Sequence, residues 1–172
     1  MKYLISALVV LTFLSCKKGG NEKDSAKNGV DIYLAKSYKI ETDTSAFPPS
    51  SSLSDVVLSD TILVKNDQIV SYDQKERTFK LKKGAMSKLK AVNGNSAFAL
   101  TVNNEIVYYG KFQPGYLSYI LFNVATIDPL DYGNNELPVG FSADTPGQQI
   151  SPKDKRNSDV LLDALKASGR LK

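Results

Sequence analysis

The pattern of hydrophobic and polar positions is clearest in the middle of the chain. Apolar residues of the segment 85–92 recur at helical spacing on one face, and Asn93-Gly94 follows, which is typical of a helix end. Two extended runs, 96–102 and 105–112, come next. They are separated by Asn103-Asn104, which is typical of a two-residue hairpin turn because asparagine tolerates positive φ. This part of the chain therefore predicts a helix followed by a β-hairpin.

The two-residue turn sets which residues of the hairpin face each other. Residues whose numbers sum to 207, as those of the turn do, are expected to pair. This register puts Ala97, Ala99 and Gly110 on one face of the sheet, beside Tyr108 and Phe112. With the small residues as its floor and the aromatic residues as its walls, this face predicts a groove for a peptide or a sugar. Tyrosine suits such ligands because it offers both apolar area and a hydroxyl. The alternative is that this face is core beneath a second layer.

The remaining apolar runs predict further strands and a second helix. Short apolar or alternating runs are typical of strands. They lie at 32–34, 38–40, 56–64, 69–72, 78–82, 117–124 and 139–141. Two prolines predict an exposed loop over 47–52, because proline donates no hydrogen bond to a sheet. An apolar stripe predicts a helix over 158–168, capped by Asn157 or Ser158. The predicted fold is therefore a single α+β domain over 30–172, with a mainly antiparallel sheet and two helices.

The helix at 85–92 and the hairpin sequence FALTVNNEIVYYG after it resemble part of the first periplasmic region of SecD, a subunit of the protein-export machinery. The resemblance covers under a fifth of the chain. It implies a ferredoxin-like βαββ core, and no function is carried over with the fold.

The start of the chain has a different pattern. Lys2 precedes an apolar run over 4–14, and the small Ser15 precedes Cys16, the one cysteine present. This run is too short to cross about 30 Å of hydrocarbon permanently, which takes about 20 residues, so it is typical of a removable export signal. The end of the run with Cys16 resembles a lipobox, the processing site of bacterial lipoproteins, with Phe13 where the family usually carries leucine.

The resemblance to bacterial lipoproteins implies that residues 1–15 are removed and that Cys16 carries the lipid, which makes the membrane a partner. Residues 16–29 are polar and contain three glycines, which predicts a flexible tether. Lys17 is not the aspartate associated with retention in the inner membrane. The resemblance therefore implies the outer membrane, facing the periplasm, with exposure at the cell surface as the alternative.

Composition excludes several classes of function. The chain has no histidine, and lipidation takes the only thiol, so histidine- and cysteine-dependent catalysis and conventional zinc sites are excluded. Its 22 basic and 18 acidic residues are evenly mixed, so no patch is dense enough to bind nucleic acid. We expect no cofactor and no metal site, since the acidic loop at 128–136 lacks EF-hand spacing.

Arg156 lies with Asp154 just before the final predicted helix. The two side chains are expected to form a local ion pair that fixes the start of this helix. The alternative is that Arg156 presents its guanidinium to a carboxylate or phosphate ligand near the positive end of the helix.

These features predict a lipid-anchored, non-enzymatic envelope protein that binds or scaffolds another envelope component. One alternative is a glycan-binding accessory lipoprotein that uses exposed tyrosines. Another is a carboxylate-dependent hydrolase, with Glu105 and Glu136 or Asp128 and Asp131 as the candidate pairs. The predicted ligand-binding residues are Tyr108, Phe112, Ala97, Ala99, Gly110 and Arg156.

Overall fold

The structure is a computed structural model that describes residues 28–45, 50–116, 121, 123–130, 133–141 and 153–172. Its strands are β1 (Val30–Asp43), β2 (Ser50–Val64), β3 (Ile69–Asp73), β4 (Thr78–Leu81), β5 (Ala97–Val102), β6 (Glu105–Phe112), β7 (Ala125–Ile127), β8 (Glu136–Pro138) and β9 (Gly140–Phe141). Its α-helices are α1 (Met86–Lys90) and α2 (Asp159–Ala167). The predicted signal, Cys16 and the tether up to residue 27 lie outside the described residues.

The α+β fold with a mainly antiparallel sheet is confirmed. The larger sheet has the strand order β2-β1-β5-β6-β7-β9 and the smaller has the order β3-β4-β8. All pairs are antiparallel except that of β6 with β7. Leu171, beyond α2, forms a parallel bridge with Tyr72 of β3. Both predicted helices are present and are shorter than predicted. Among the described residues, no helix has the length and hydropathy needed to span a bilayer.

The predicted βαββ unit is wrong in one respect, because β4 belongs to the smaller sheet and β5 and β6 to the larger one. Helix α1 therefore connects two sheets and not two strands of one sheet. The main core lies between these sheets and the helices, where Phe79, Phe98 and Leu165 are fully buried together. Gly29, just before the predicted start of the domain, also belongs to the fold, since Gly29 and Asn103 exchange two hydrogen bonds.

Strands β1 and β2 form a hairpin that extends beyond the sheet. Residues 30–34 pair with β5, and Ile32 and Tyr33 among them also pair with β2, whereas the rest of β1 pairs with β2 alone. We call residues 35–43 and 50–58 of this hairpin the arm. Asp55 has a φ of 49° at a register shift in the arm, which marks a bulge that bends the ladder and redirects neighbouring side chains. Leu53 and Val56 thereby join a second, smaller core cluster on the other side of the larger sheet.

Two predicted segments are wrong. Residues 50–52 of the predicted loop belong to β2, because their backbone pairs with residues 41–43 of β1. Of the strand predicted over 117–124, residues 117–120 and 122 lie outside the described residues, and residues 121, 123 and 124 are not in a strand. Asn123 has a φ of 58°, so the chain turns there and the strand begins at Ala125 instead.

The turn of the β5–β6 hairpin is confirmed, with φ values of 53° at Asn103 and 67° at Asn104. The predicted register holds for Val102 with Glu105 and for Thr101 with Ile106. A bulge then shifts every later pair by one residue, so that Leu100 faces Tyr108. The predicted register is therefore wrong beyond the bulge.

Candidate functional site

A cavity of about 580 Å³ opens between the arm and β6. Leu53 and Val56 of the arm form one wall, and the four consecutive residues 106–109 of β6 form another. Val124, Phe141, Lys153 and Lys155 also line the cavity. We call this cavity the arm pocket.

Local sequence features explain why the pocket opens at this place. Strand β7 pairs only with residues 110–112 of β6, because Asn123 turns the chain away just before β7 begins. No strand of the described residues therefore covers the edge of β6 at 106–109. The bulge at Asp55 points Val56 into the pocket from the opposite side.

Two lysines lie at the rim of the pocket because their neighbours turn inward. In the segment 153–156, the guanidinium of Arg156 donates hydrogen bonds of 2.7 and 2.9 Å to the carboxylate of Asp154. The side chains of this pair are only 2% and 5% exposed. Lys153 and Lys155 alternate with them and remain exposed at the pocket.

The electrostatics of the rim are positive. No acidic side chain is among the described residues that line the pocket. One rim lysine also acts on Asp43, at the end of β1: hydrogen bonds from Ser45 lower the pKa of the Asp43 carboxyl, and the charge of Lys153 lowers it further. Lys153 thus also interacts with the arm.

The structure favours the ion-pair interpretation of Arg156. The guanidinium also donates to the carbonyl oxygen of Val139 at 2.8 Å and lies over the ring of Phe141. Burial alone raises the pKa of the Asp154 carboxyl, and the hydrogen bonds and charge of Arg156 outweigh it, so the net shift is downward. The pair fixes the segment before α2, and protein groups surround the guanidinium that was predicted to meet a ligand.

The predicted groove over Ala97, Ala99 and Gly110 is not formed. Because the bulge shifts the register, Gly110 faces Phe98 in the main core, whereas Ala97 is buried in the smaller core cluster. Ala99 faces Tyr109 and is also buried.

The two aromatic residues of the predicted groove lie in the core. Phe112 is fully buried, and Tyr108 is 7% exposed and packs edge-to-face with Phe98. The hydroxyl of Tyr108 has no hydrogen-bond partner among the described residues. Burial raises the pKa of this hydroxyl well above its usual value.

Sequence reasoning found only part of the open site. Ile106 and Tyr109 are 40% and 37% exposed in the arm pocket. Tyr109 is one of the exposed tyrosines of the glycan-binding alternative, and the predicted residue Tyr108 also contributes to the lining. Ile106 and the two lysines were not predicted to bind a ligand. The sequence signal for the two lysines was the alternation in residues 153–156. When Asp154 pairs with Arg156, Lys153 and Lys155 point to the other side.

The candidate carboxylate pairs are not brought together as an acid–base site. Glu105 and Glu136 belong to different sheets, and Glu136 forms an ion pair with Lys80 at 3.0 Å. Asp128 accepts hydrogen bonds from the backbone N–H groups of Gly115 and Leu130, while Asp131 lies outside the described residues. Within the described ranges, no cluster of three acidic, cysteine or histidine side chains is placed to hold a metal ion.

Comparison of the chain with protein-family models, curated proteins and solved structures gives no match. The features of the chain that bear on its function are the signal-like start of the sequence and the arm pocket.

Proposed function

We propose that this protein is a lipid-anchored, non-enzymatic envelope lipoprotein whose domain binds another envelope component in the arm pocket. The observation that carries the binding role is the pocket itself. Its volume of about 580 Å³ falls within the roughly 300–1,000 Å³ typical of ligand sites. It also combines apolar walls with a few polar and charged groups, which is the usual composition of such sites.

The proposed anchor is Cys16, after removal of residues 1–15. The positive start, the apolar run and the small residue before Cys16 support this proposal. The lipid would hold the domain at the outer membrane, facing the periplasm, on the tether that begins at residue 17.

The lining of the pocket supports a binding role over hydrolysis. A carboxylate-dependent hydrolase needs two carboxyl groups on either side of the bond that is broken. The described lining residues include neither aspartate nor glutamate. The candidate acids named above lie elsewhere in the fold.

A glycan-binding role is the second candidate, and the exposed ring of Tyr109 in the pocket favours it. A tyrosine ring can stack on a sugar while its hydroxyl donates or accepts a hydrogen bond. The alanine and serine variants of Tyr109 on a glycan array would then lose binding, whereas those of the exposed Tyr116 would keep it.

The anchor is tested by replacing Cys16 with serine in cells. The variant should remain as uncleaved precursor or move to the soluble periplasmic fraction. A cleaved Cys16→Ser protein that still fractionates with the membrane would contradict the proposed anchor.

The binding role is tested by photo-crosslinking in cells that make the full-length chain. A photoreactive amino acid at Ile106, which lines the pocket, should form an adduct with an envelope component. The same amino acid at Val57, exposed on the arm but outside the pocket, is the control. Absence of any adduct specific to position 106 would contradict the proposal.

A further inference from the structure

The charge of the arm pocket indicates the sign of its ligand. Asp154, between the two rim lysines, is turned inward and neutralised by Arg156. Among the described residues that line the pocket, the charged side chains are therefore those of the two lysines. Since Lys153 also interacts with Asp43, Lys155 is the rim group best placed to attract an anion. Two cations at one rim, with no acidic side chain among the described lining residues, fit a negatively charged ligand group.

The walls of the arm pocket offer apolar surface to the rest of the ligand. Leu53, Val124 and Phe141 form the deeper lining, and all three are buried in the core clusters. Ile106 and Tyr109 keep more than a third of their surface exposed beside them. Covering apolar surface of this kind is favourable in proportion to its area. Besides the lysines, the polar side chains of the described lining are Ser52, Asn123, Tyr108 and Tyr109.

The volume indicates the size of the ligand. A cavity of about 580 Å³ matches pockets that enclose one small molecule of drug-like size. It therefore suits an amphiphile with one acyl chain better than a lipid with two.

We propose that the arm pocket binds a single-chain anionic amphiphile, with the acyl chain between the arm and β6 and the anionic head at Lys153 and Lys155. This inference rests on the proposed binding function of the pocket and adds the class of ligand to it. The head carries a carboxylate or a phosphate, and both sources share the negative charge that the lysines recognise. The bulges in β2 and β6 give the pocket its two walls.

The experiment uses washed membranes that carry the full-length protein. Three photoactivatable palmitate analogues with the same chain are added in separate arms: a carboxylic acid, a phosphate monoester and a neutral alcohol. The labelled protein is digested, and the modified peptides are identified by mass spectrometry. Resistance of the domain to limited proteolysis shows that each variant is folded.

Two variants are compared with matched controls. Lys155→Glu reverses a rim charge, and Lys166→Glu makes the same change at an exposed position of α2 outside the pocket. Ile106→Glu places a charge on the apolar wall, and Val57→Glu makes a similar change on the outer side of the arm.

We expect labelling of residues 106–109 by at least one anionic probe. Lys155→Glu should reduce this labelling about fivefold or more, as a loss of about 1 kcal/mol does, and should leave labelling by the alcohol nearly unchanged. Ile106→Glu should reduce labelling by all probes, and neither control variant should change it. The relative labelling by the acid and the phosphate identifies the head group.

Two results would overturn the inference. If Lys155→Glu changes labelling by the alcohol and by the anions equally, the head is not recognised by charge. If no probe labels the pocket while the photoreactive amino acid at Ile106 captures a protein or a glycan in cells, the ligand class is wrong and the binding function stands. If that amino acid also captures nothing, both proposals are wrong.

Discussion

At the scale of single residues, two core tyrosines differ in the contacts of their hydroxyls. The Tyr72 hydroxyl donates to the carbonyl oxygen of Arg156 at 2.8 Å and lies 3.1 Å from the side-chain oxygen of Asn157. The Tyr108 hydroxyl has no partner among the described residues. A buried polar group without a partner costs free energy, whereas removing a bonded one leaves its partner unsatisfied.

We therefore expect opposite effects from the same substitution at these two tyrosines. Tyr108→Phe should leave the free energy of unfolding unchanged or raise it by up to about 1 kcal/mol, and Tyr72→Phe should lower it by about 1–3 kcal/mol. Tyr108→Ala, which removes the whole buried ring, should lower it by about 3–5 kcal/mol. Urea unfolding followed by circular dichroism measures all three. A Tyr108→Phe variant as unstable as Tyr72→Phe would reveal a hydrogen bond at the Tyr108 hydroxyl.

Gly110 lies where β6 approaches β7 most closely. A Cβ atom at this position would overlap the carbonyl oxygen of Ala125 and come within 2.5 Å of the ring of Phe98. We expect Gly110→Ala to lower the free energy of unfolding by about 1–3 kcal/mol or more, because the sheet and the core must both shift. Gly133→Ala is the control, since its Cβ meets no atom within 4 Å, and its effect should stay within about 0.5 kcal/mol. Thermal unfolding of both variants tests this; equal stabilities would show that the larger sheet opens easily at β7.

At the scale of elements, the Asp154–Arg156 pair holds the segment before α2 against β8 and β9. The guanidinium bonds to both the Asp154 carboxylate and the Val139 carbonyl. Asp154→Asn would leave a buried positive charge without its counter-charge, so we expect the free energy of unfolding to fall by about 3–5 kcal/mol. Asp159→Asn, in the exposed first turn of α2, is the control and should cost no more than about 1 kcal/mol. Urea denaturation compares the two, and a small loss at Asp154 would mean that the segment rearranges to expose Arg156.

The elements also show how far the sequence alone specifies this fold. Helical periodicity predicted α1 and α2, and the two asparagines predicted the turn between β5 and β6, because these signals are local. The bulges were not predicted, since an extra residue in a strand is selected by packing across the sheet and leaves no local pattern. The bulge in β6 moved Gly110 from the predicted groove into the core. Asn123 offered a signal for the end of the apolar run at 117–124, but a single asparagine within an apolar run does not by itself specify a turn.

The candidate site was less predictable than the fold for the same reason. The pair of Asp154 and Arg156 could be predicted because the two residues are neighbours in sequence. The arm pocket combines β2, β6 and the segment before α2, which are brought together only by tertiary structure. The alternation in residues 153–156 indicates that Lys155 is exposed, but that it shares a pocket with Tyr109 depends on tertiary contacts that no local pattern reports.

At the scale of the whole molecule, the buried carboxylate makes stability depend on acid pH. The pKa of Asp154 is lowered, because the hydrogen bonds and charge of Arg156 outweigh the opposing effect of burial. A carboxyl whose pKa is lower in the folded state stabilises the fold above its unfolded pKa of about 3.9 and loses this contribution as pH falls through the folded value. Asp31, whose pKa burial raises, acts in the opposite direction: its contribution is present at low pH and is lost as pH rises through its folded value.

We therefore expect the free energy of unfolding to fall steeply below about pH 4. In Asp154→Asn the slope in this range should be smaller, because the variant cannot take up the proton. Urea unfolding at a series of pH values and constant ionic strength measures the slope. An identical acid slope in the variant would assign the acid sensitivity to other carboxylates.

The pairing of distant strands also sets how fast this chain reaches its native state. Val30 pairs with Val102, Phe79 with Leu137, and Tyr72 with Leu171. Each of these pairs closes a long loop, whose entropy is lost before the contact contributes any stability. Topologies of this kind fold on a scale of roughly milliseconds to seconds. If the chain crosses a membrane unfolded, as the proposed export signal implies, it would be slow to collapse into a form too bulky for passage, and the order of its strands would itself provide that delay.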